Sequence, residues 1–391
     1  MSERLAICMF NNSLVRGGAE EHMLGLLRAL DRSRFRPLMA APAALLDMLR
    51  PDLPPDVETF ACELFSPLQA AAALRLARFV RREQVQIMHS HLFRASLVGS
   101  PAARLGGVPV TVETPHVREL WRRGWKSSYA IDRAAGRFVD AYIAVSRANA
   151  RYLAEEKRLP LEKIAVIRNG CELEHFSPAR RASAGLRREL GFGEDDPVLL
   201  LSGRLEPQKG HAVALDALVM LHREFPGVRL VCIGEGALRA ELERKTEVLG
   251  LADAVRWMGR QSIVQEWIAL ADVCVLPSFY EGLPLVAMEC LACARPMVAT
   301  EVDGTPEIIL HEKTGLLVSP GDAASLAEAV ARLLRSPQLA ASLAQAGRSW
   351  VENHFTFERQ VRETEELYTR LWSRKTGRQL APAPEEARCA D

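Results

Sequence analysis

The chain has 391 residues and 43.3 kDa, enough for two or three domains, and its 48% hydrophobic and 25% charged content is that of an ordinary folded protein. Disordered, collagen-like and disulfide-scaffold classes are excluded. A formal net charge of +1 also excludes a globally basic nucleic-acid binder, although residues 1–180 carry 26 Lys/Arg against 19 Asp/Glu and residues 181–391 carry 24 against 30.

In chain order, short apolar runs alternate with longer helical patterns. The first half predicts strands at Leu5–Phe10, Pro37–Ala41, Val57–Ala61, Gln86–His89, Val108–Glu113, Ala141–Ser146 and Ile164–Arg168. The second half predicts them at Val198–Ser202, Arg229–Ile233, Ala254–Met258, Val273–Pro277, Pro296–Thr300 and Leu316–Val318. Several are apolar throughout, as strands covered on both faces must be. Amphipathic stretches such as AEEHMLGLLRAL (19–30) and SLAEAVARLLRS (325–336) lie between them. Repeated β–α units imply parallel sheets flanked by helices, and thirteen strands are too many for one open sheet. The expected fold class is therefore α/β, with two doubly wound, Rossmann-like domains.

The Pro-, Gly- and charge-containing stretch Asn169–Asp196 separates the two strand series. It places a first domain at 1–175 and a second at 176–350. A final amphipathic helix, about Phe357–Trp372, falls within 351–373. The Pro-, Ala- and charge-rich tail 374–391 reads as disordered. The N-terminal MSERLAICMFNNS has too short an apolar core for a signal peptide, and no window approaches the ~18 apolar residues of a membrane span. The expected location is cytoplasmic, soluble or peripheral on a membrane. The eight cysteines sit mostly in apolar runs, as reduced core thiols do. Cys290 and Cys293 form a C-x-x-C with no second ligand pair, which reads as packing rather than metal or redox chemistry.

In open α/β sheets ligands bind beyond the carboxyl ends of the strands, and five segments stand there. In LPSFYEGLPLVAMEC (276–290) a strand leads through a loop to a helix opening near Pro284. Its first amides, Gly282 to Val286, form an anion site between two carboxylates, Glu281 and Glu289. A pyrophosphate with a polyol on either side would fit, and so would two solvated glutamates. In LLLSGRLEPQKG (199–210) Arg204 and Lys209 follow a strand end, where two cations could neutralise a pyrophosphate or merely lie exposed. Gly17 and Gly18 precede a helix, a glycine turn that lets backbone approach a ligand. His116, beyond the strand Val108–Glu113, could position a sugar hydroxyl or a phosphate, or be structural. His89 and His91 form an H-x-H with no third ligand nearby and read as packing and capping, not metal. IGEG (233–236) lacks the third glycine of a dinucleotide fingerprint, since Arg239 occupies its place.

Together these segments resemble the retaining glycosyltransferases of the GT-B fold, family four (glycosyl transferases group 1). The E-x7-E motif reads Glu281-GLPLVAM-Glu289, the phosphate-gripping loop reads SGRLEPQKG, and the GGAE loop is Gly17-Gly18-Ala19-Glu20. AVSRANARYL (144–153), VIRNGCELEHF (166–176), VCIGEGALRAELE (231–243), VRWMGR (255–260) and VDGTPEIILHEKTGLLVSPGD (302–322) also fit the family pattern. The resemblance implies two domains facing across a cleft and a last helix crossing back to the first domain. It implies that Glu289 holds the ribose of a nucleotide-sugar and that Glu281 contacts its hexose. Arg204 and Lys209 would bind the pyrophosphate, helped by the amides of Leu285, Val286 and Gly18. Backbone around Gly259-Arg260 would meet the base, and His116 the transferred sugar. Glu235 and Asn169 are further cleft candidates.

The expected reaction is transfer of a hexose from a nucleotide-diphospho-sugar, UDP- before GDP-, to a glycan or lipid-linked acceptor with retention. The cell-surface polysaccharide or glycolipid pathways are the expected setting. Charge on the departing diphosphate would be met by Arg204, Lys209 and helix-end amides, so no metal or other cofactor is expected. A front-face attack needs no enzymic nucleophile, whereas the rival mechanism makes Glu281 a covalent one. The basic, Trp-containing stretch 116–138 would suit an anionic membrane surface or a phosphorylated lipid acceptor, and equally a solvated helix face. No nucleic-acid partner is expected. A sugar-nucleotide epimerase and a non-catalytic nucleotide- or glycan-binding protein are the alternatives.

Overall fold

A computed structural model describes residues 4–119, 128–179 and 185–380. Thirteen strands form in the order the apolar runs predict: β1 Leu5–Phe10, β2 Phe35–Ala41, β3 Glu58–Ala61, β4 Ile87–His91, β5 Val110–Thr114, β6 Ala141–Ala144 and β7 Ile164–Val166 make one sheet. The other contains β8 Val198–Ser202, β9 Arg229–Ile233, β10 Val255–Trp257, β11 Val273–Leu276, β12 Met297–Thr300 and β13 Leu316–Val318. All ladders within both sheets are parallel. Because β–α–β crossovers place helices over the sheet, the central strands have no solvent face. Every residue of β1, β4 and β5 is buried, which is why they read as unbroken rather than alternating sequence.

The chain divides into two compact units. One comprises residues up to Arg168 together with those from Arg359 onward; the other runs from Asn169 to Glu358. The expected boundary after residue 175 thus compares with a division seven residues earlier. The last amphipathic helix, expected at about Phe357–Trp372 within 351–373, is Phe357–Thr376, and a separate helix, Pro337–His354, runs into the start of that segment. The Phe357–Thr376 helix packs in the first unit. Glu365 accepts from the backbone N–H of Asp31 (2.8 Å), and Tyr368, fully buried, reaches His89. The expected disordered tail begins with the last turn of that helix, and residues 381–391 lie outside the described residues.

The order of the first sheet is β3-β2-β1-β4-β5-β6-β7 and of the second β10-β9-β8-β11-β12-β13. Each order reverses direction once, between β1 and β4 and between β8 and β11. Loops leaving the carboxyl ends of such neighbouring strands turn to opposite faces and leave a crevice between them. That topology decides which residues distant in sequence become neighbours in each unit.

Candidate functional site

In the second unit the loops after β8 and β11 meet at the crevice. β8 ends in Ser202, and the chain passes through Gly203-Arg204 into a single 3-10 turn, Pro207–Lys209, before the helix His211–Leu221. Gly210 joins the two helical pieces with a left-handed φ of +67°, and a Cβ placed on it would lie 2.0 Å from the Pro277 carbonyl oxygen. Only glycine allows the two loops to approach this closely. Gln208 then pins the β11 loop at both its ends: its carbonyl accepts from the Phe279 N–H (2.8 Å), and its side-chain amide donates to the Tyr280 carbonyl (2.9 Å).

This clamp brings Lys209 Nζ to 2.6 Å from Glu281 Oε1. The same oxygen accepts from Ser278 Oγ at 2.7 Å, and the Glu281 backbone N–H donates to Asp303 Oδ2 at 2.9 Å. Glu281 is 4% exposed and Ser278 fully buried. A buried carboxylate costs several kcal/mol of desolvation unless paired, and the lysine and serine supply that pairing. Arg204 is more open and forms an ion pair with Glu206 at 2.9 Å. Both cations proposed for a diphosphate therefore have an acidic partner already, and an arriving anion must compete for them.

The helix Leu285–Ala292 opens after Pro284, which caps it in an extended conformation rather than forming its first turn. Leu285 and Val286 stand in that first turn. Gly282 is buried in the loop before it, and Glu289 lies half-buried one turn along. Asn169 Nδ2 donates to the Leu283 carbonyl (2.9 Å) while its buried Oδ1 has no partner. Glu235 and Arg260 are exposed at the ends of β9 and β10, and Gly234 donates its N–H to the Gly259 carbonyl at 2.8 Å. Ser278, Gln208 and Asp303 were not singled out from the sequence. Ser278 stands three residues before the E-x7-E motif and Asp303 inside VDGTPEI, yet nothing in their spacing announces a contact with Glu281.

In the first unit the GGAE loop leaves β1. Gly17 caps the helix Gly18–Ala29 in an extended conformation, and its N–H donates to Glu20 Oε2 at 2.9 Å. Glu20 also accepts from Asn11 Nδ2 (2.9 Å), and burial raises its pKa. The Gly17 amide is thus spent on the capping contact. Gly18 is exposed with open space where a side chain would stand.

His116 follows β5 as the central residue of a γ-turn, closed by the Val117 N–H on the Pro115 carbonyl at 2.8 Å, with a φ of +62°. The positive-φ γ-turn is the strained form, and such strain persists where surrounding contacts fix it. Those contacts are other histidines. His116 Nε2 lies 3.0 Å from His91 Nδ1, and its Nδ1 lies 3.4 Å from His22 Nδ1. His89 bonds instead to Tyr368 OH (2.5 Å) and Thr114 Oγ1 (2.7 Å), the packing role expected of it. Burial lowers the pKa of all four imidazoles, that of His22 to about 4 and that of His89 to about 3. They are neutral at physiological pH.

Of the basic stretch 116–138, residues 120–127 lie outside the described residues, including Trp121, Arg122, Arg123, Trp125 and Lys126. Among the described ones, Arg118 pairs with Glu156 and covers the Tyr152 ring, and Tyr129 packs edge-on against Tyr152. Ile131, Arg133, Arg137 and Phe138 are exposed. No described helix is long and apolar enough to cross a membrane. All seven described cysteines are free and buried, Cys290 and Cys293 among them.

Comparison with known proteins gives two family matches. Residues 184–350 match glycosyl transferases group 1, and residues 16–175 match glycosyltransferase family 4. The chain is 32% identical over 360 residues to a D-inositol 3-phosphate glycosyltransferase of Thermobispora bispora, covering 87% of this chain and 80% of that one. It is 26% identical to a UDP-Gal:α-D-GlcNAc-diphosphoundecaprenol α-1,3-galactosyltransferase of Escherichia coli, covering 75% and 78% respectively. Among solved structures, Anabaena HepE in complex with UDP and glucose superposes with a TM-score of 0.81 at 22% identity, over 93% of this chain and 99% of that one. These structural likenesses carry the GT-B fold.

Proposed function

The chain belongs to the group 1 glycosyl transferases, enzymes of the GT-B fold that use nucleotide-sugar donors, and on that premise we propose that it transfers a hexose from a UDP-sugar to a glycan or lipid-linked acceptor with retention of configuration. GDP-sugars are the second choice of donor, and cell-surface polysaccharide or glycolipid synthesis is the proposed setting. The observation that carries the reading is the Lys209–Glu281 pair at the β8/β11 crevice, inside the family's two motifs. The UDP bound by Anabaena HepE and the UDP-galactose named for the E. coli relative support the choice of base.

The proposed chemistry follows from charge. Departure of a nucleoside diphosphate builds negative charge on the β-phosphate. Lys209, Arg204 and the N–H groups of Leu285 and Val286 are the donors placed to receive it, which makes the reaction independent of metal. Glu281 holds a hydroxyl of the hexose and orients Lys209, while Glu289 holds the ribose. Arg260 and Glu235 flank the base. For the first unit taken by itself, the proposed roles are His116 toward a sugar and Gly18 toward a phosphate, as the family resemblance implies. Glu281 Oε1 already accepts from both Lys209 and Ser278, which blunts it as a nucleophile and favours front-face attack, with the leaving phosphate taking the acceptor's proton. The exposed Ile131, Arg133, Arg137 and Phe138 support peripheral docking of the 116–138 stretch on an anionic membrane.

A thermal-shift panel of UDP-, GDP- and ADP-sugars tests the donor. A ligand at 100 times its dissociation constant adds about 2.7 kcal/mol of stability, a readily measured rise in Tm. A shift with the UDP-sugars that Lys209→Ala abolishes is expected. No shift with any nucleotide-sugar overturns the reading.

A further inference from the structure

The first unit gathers three imidazoles for which the sugar chemistry needs only one. His22 comes from the helix after β1, His91 from the end of β4 and His116 from the turn after β5, and β1, β4 and β5 are consecutive in the sheet. All three are at most 7% exposed. One nitrogen of each lies within 4.8 Å of the others.

Two details of the geometry fit a metal better than a hydrogen-bonded chain alone. The Nδ1 atoms of His22 and His116 are 3.4 Å apart with their rings at 81°. That is long for a hydrogen bond, and it is the spacing of two nitrogens on one tetrahedral ion, since Zn–N bonds of about 2.0–2.1 Å set N···N at about 3.4 Å. Separately, His91 Nε2 is buried with no hydrogen-bond partner at all. A fully buried imidazole with one nitrogen idle has a lone pair or an N–H in need of a partner.

We propose that His22, His91 and His116 form a binding site for a transition-metal dication of the Zn2+ class, with the fourth position open to water. An all-imidazole set suits Zn2+, Co2+, Ni2+ or Cu2+ and not Mg2+ or Ca2+, which take oxygen. Two of the three stand at the correct separation. The widest gap must close by roughly 1.4 Å to reach tetrahedral spacing, which a side-chain rotation of His91 supplies. Occupancy ties up His116, so the metal inhibits transfer rather than assisting it; this last clause rests on the proposed place of His116 beside the sugar, and the binding itself does not.

Co2+ is the probe, titrated into chelator-treated full-length protein. The expected result is one equivalent with the visible d–d absorption of four-coordinate nitrogen ligation, displaced by Zn2+ and lost in His22→Ala and in His91→Gln. The glutamine keeps a polar partner for His116, and an unchanged Tm and donor thermal shift certify the fold. A thiolate-to-metal charge-transfer band would place the ion on cysteine and overturn the site, as would equal binding by wild type and both variants, or no binding. Transferase activity, measured alongside, should fall as Zn2+ fills the site and return with chelator. Site-specific binding with undiminished activity would leave the metal site standing and remove His116 from the proposed sugar contact.

Discussion

The two crevices of this protein share a topology and differ in chemistry. In the second unit, strands β8 and β11 bring together a lysine and a glutamate 2.6 Å apart, both inside motifs that are continuous in sequence. In the first, β1, β4 and β5 bring together three neutral histidines from positions 22, 91 and 116. Parallel doubly wound sheets provide the same crevice in both cases. The residue types delivered to it decide whether the place presents paired charges or neutral imidazoles. Charge at the second crevice is held by direct pairing, whereas the first is kept neutral by burial.

The largest expected effect breaks that pairing. Lys209→Ala should lower turnover by ~10²–10³, the usual consequence of losing a group that stabilises developing charge. Arg204→Ala should cost less, because Arg204 is the more exposed of the two and already bonded to Glu206. Steady-state kinetics with saturating donor measures both. Full activity in Lys209→Ala would mean that the lysine serves only to neutralise Glu281, and the contrast between the crevices would lose its catalytic meaning.

Gly210→Ala tests the clamp that creates the pair. A methyl group 2.0 Å from the Pro277 oxygen, at a left-handed φ, should cost at least about 2 kcal/mol. The urea midpoint should fall, and the UDP-sugar thermal shift should weaken with it. An unchanged midpoint would show that the β8 and β11 loops are less tightly joined than their hydrogen bonds imply.

Glu113 sharpens the other side of the comparison. It is a buried carboxyl at the end of β5, with its pKa pushed up to about 7 by burial. Its folded value lies above its ordinary one of 4.5, so its contribution to stability is complete below about pH 4.5 and is lost as pH rises through 7. Glu113→Gln should therefore match wild type near pH 5 and exceed it at pH 8, by at most about 3 kcal/mol at 1.36 kcal/mol per pKa unit. Tm curves across that range that stay parallel would show the carboxyl to be fully charged throughout. The smallest effect belongs to Tyr368→Phe. It leaves His89 Nδ1 without its partner and should cost about 1–2 kcal/mol in chemical denaturation, with donor affinity unaltered. Loss of donor binding instead would tie the last helix to the site.

Legibility followed the same division. The central strands were visible as apolar runs because full burial on both faces leaves no room for alternation. The Lys209 and Glu281 loops were visible because each is a local turn with its own glycine and proline signals. Ser278, Gln208 and Asp303 were not, since a serine or glutamine in a loop has no periodicity to betray its contact. The division between units fell at Arg168/Asn169 rather than after residue 175, because packing, and not composition, decides where a chain changes core. Pro284 as a cap rather than a first helical residue is a shift of one position of the same kind.

Sequence by itself determined the α/β class, the two parallel sheets and the segments that leave their carboxyl ends, because hydrophobic periodicity and turn chemistry are local properties. Tertiary structure alone decided that His22 stands beside His116, that His91 keeps an idle nitrogen, and that one oxygen of Glu281 serves both Lys209 and Ser278. Those facts depend on strand order, and strand order brings residues tens to hundreds of positions apart to within hydrogen-bonding distance while leaving no mark on the spacing of either.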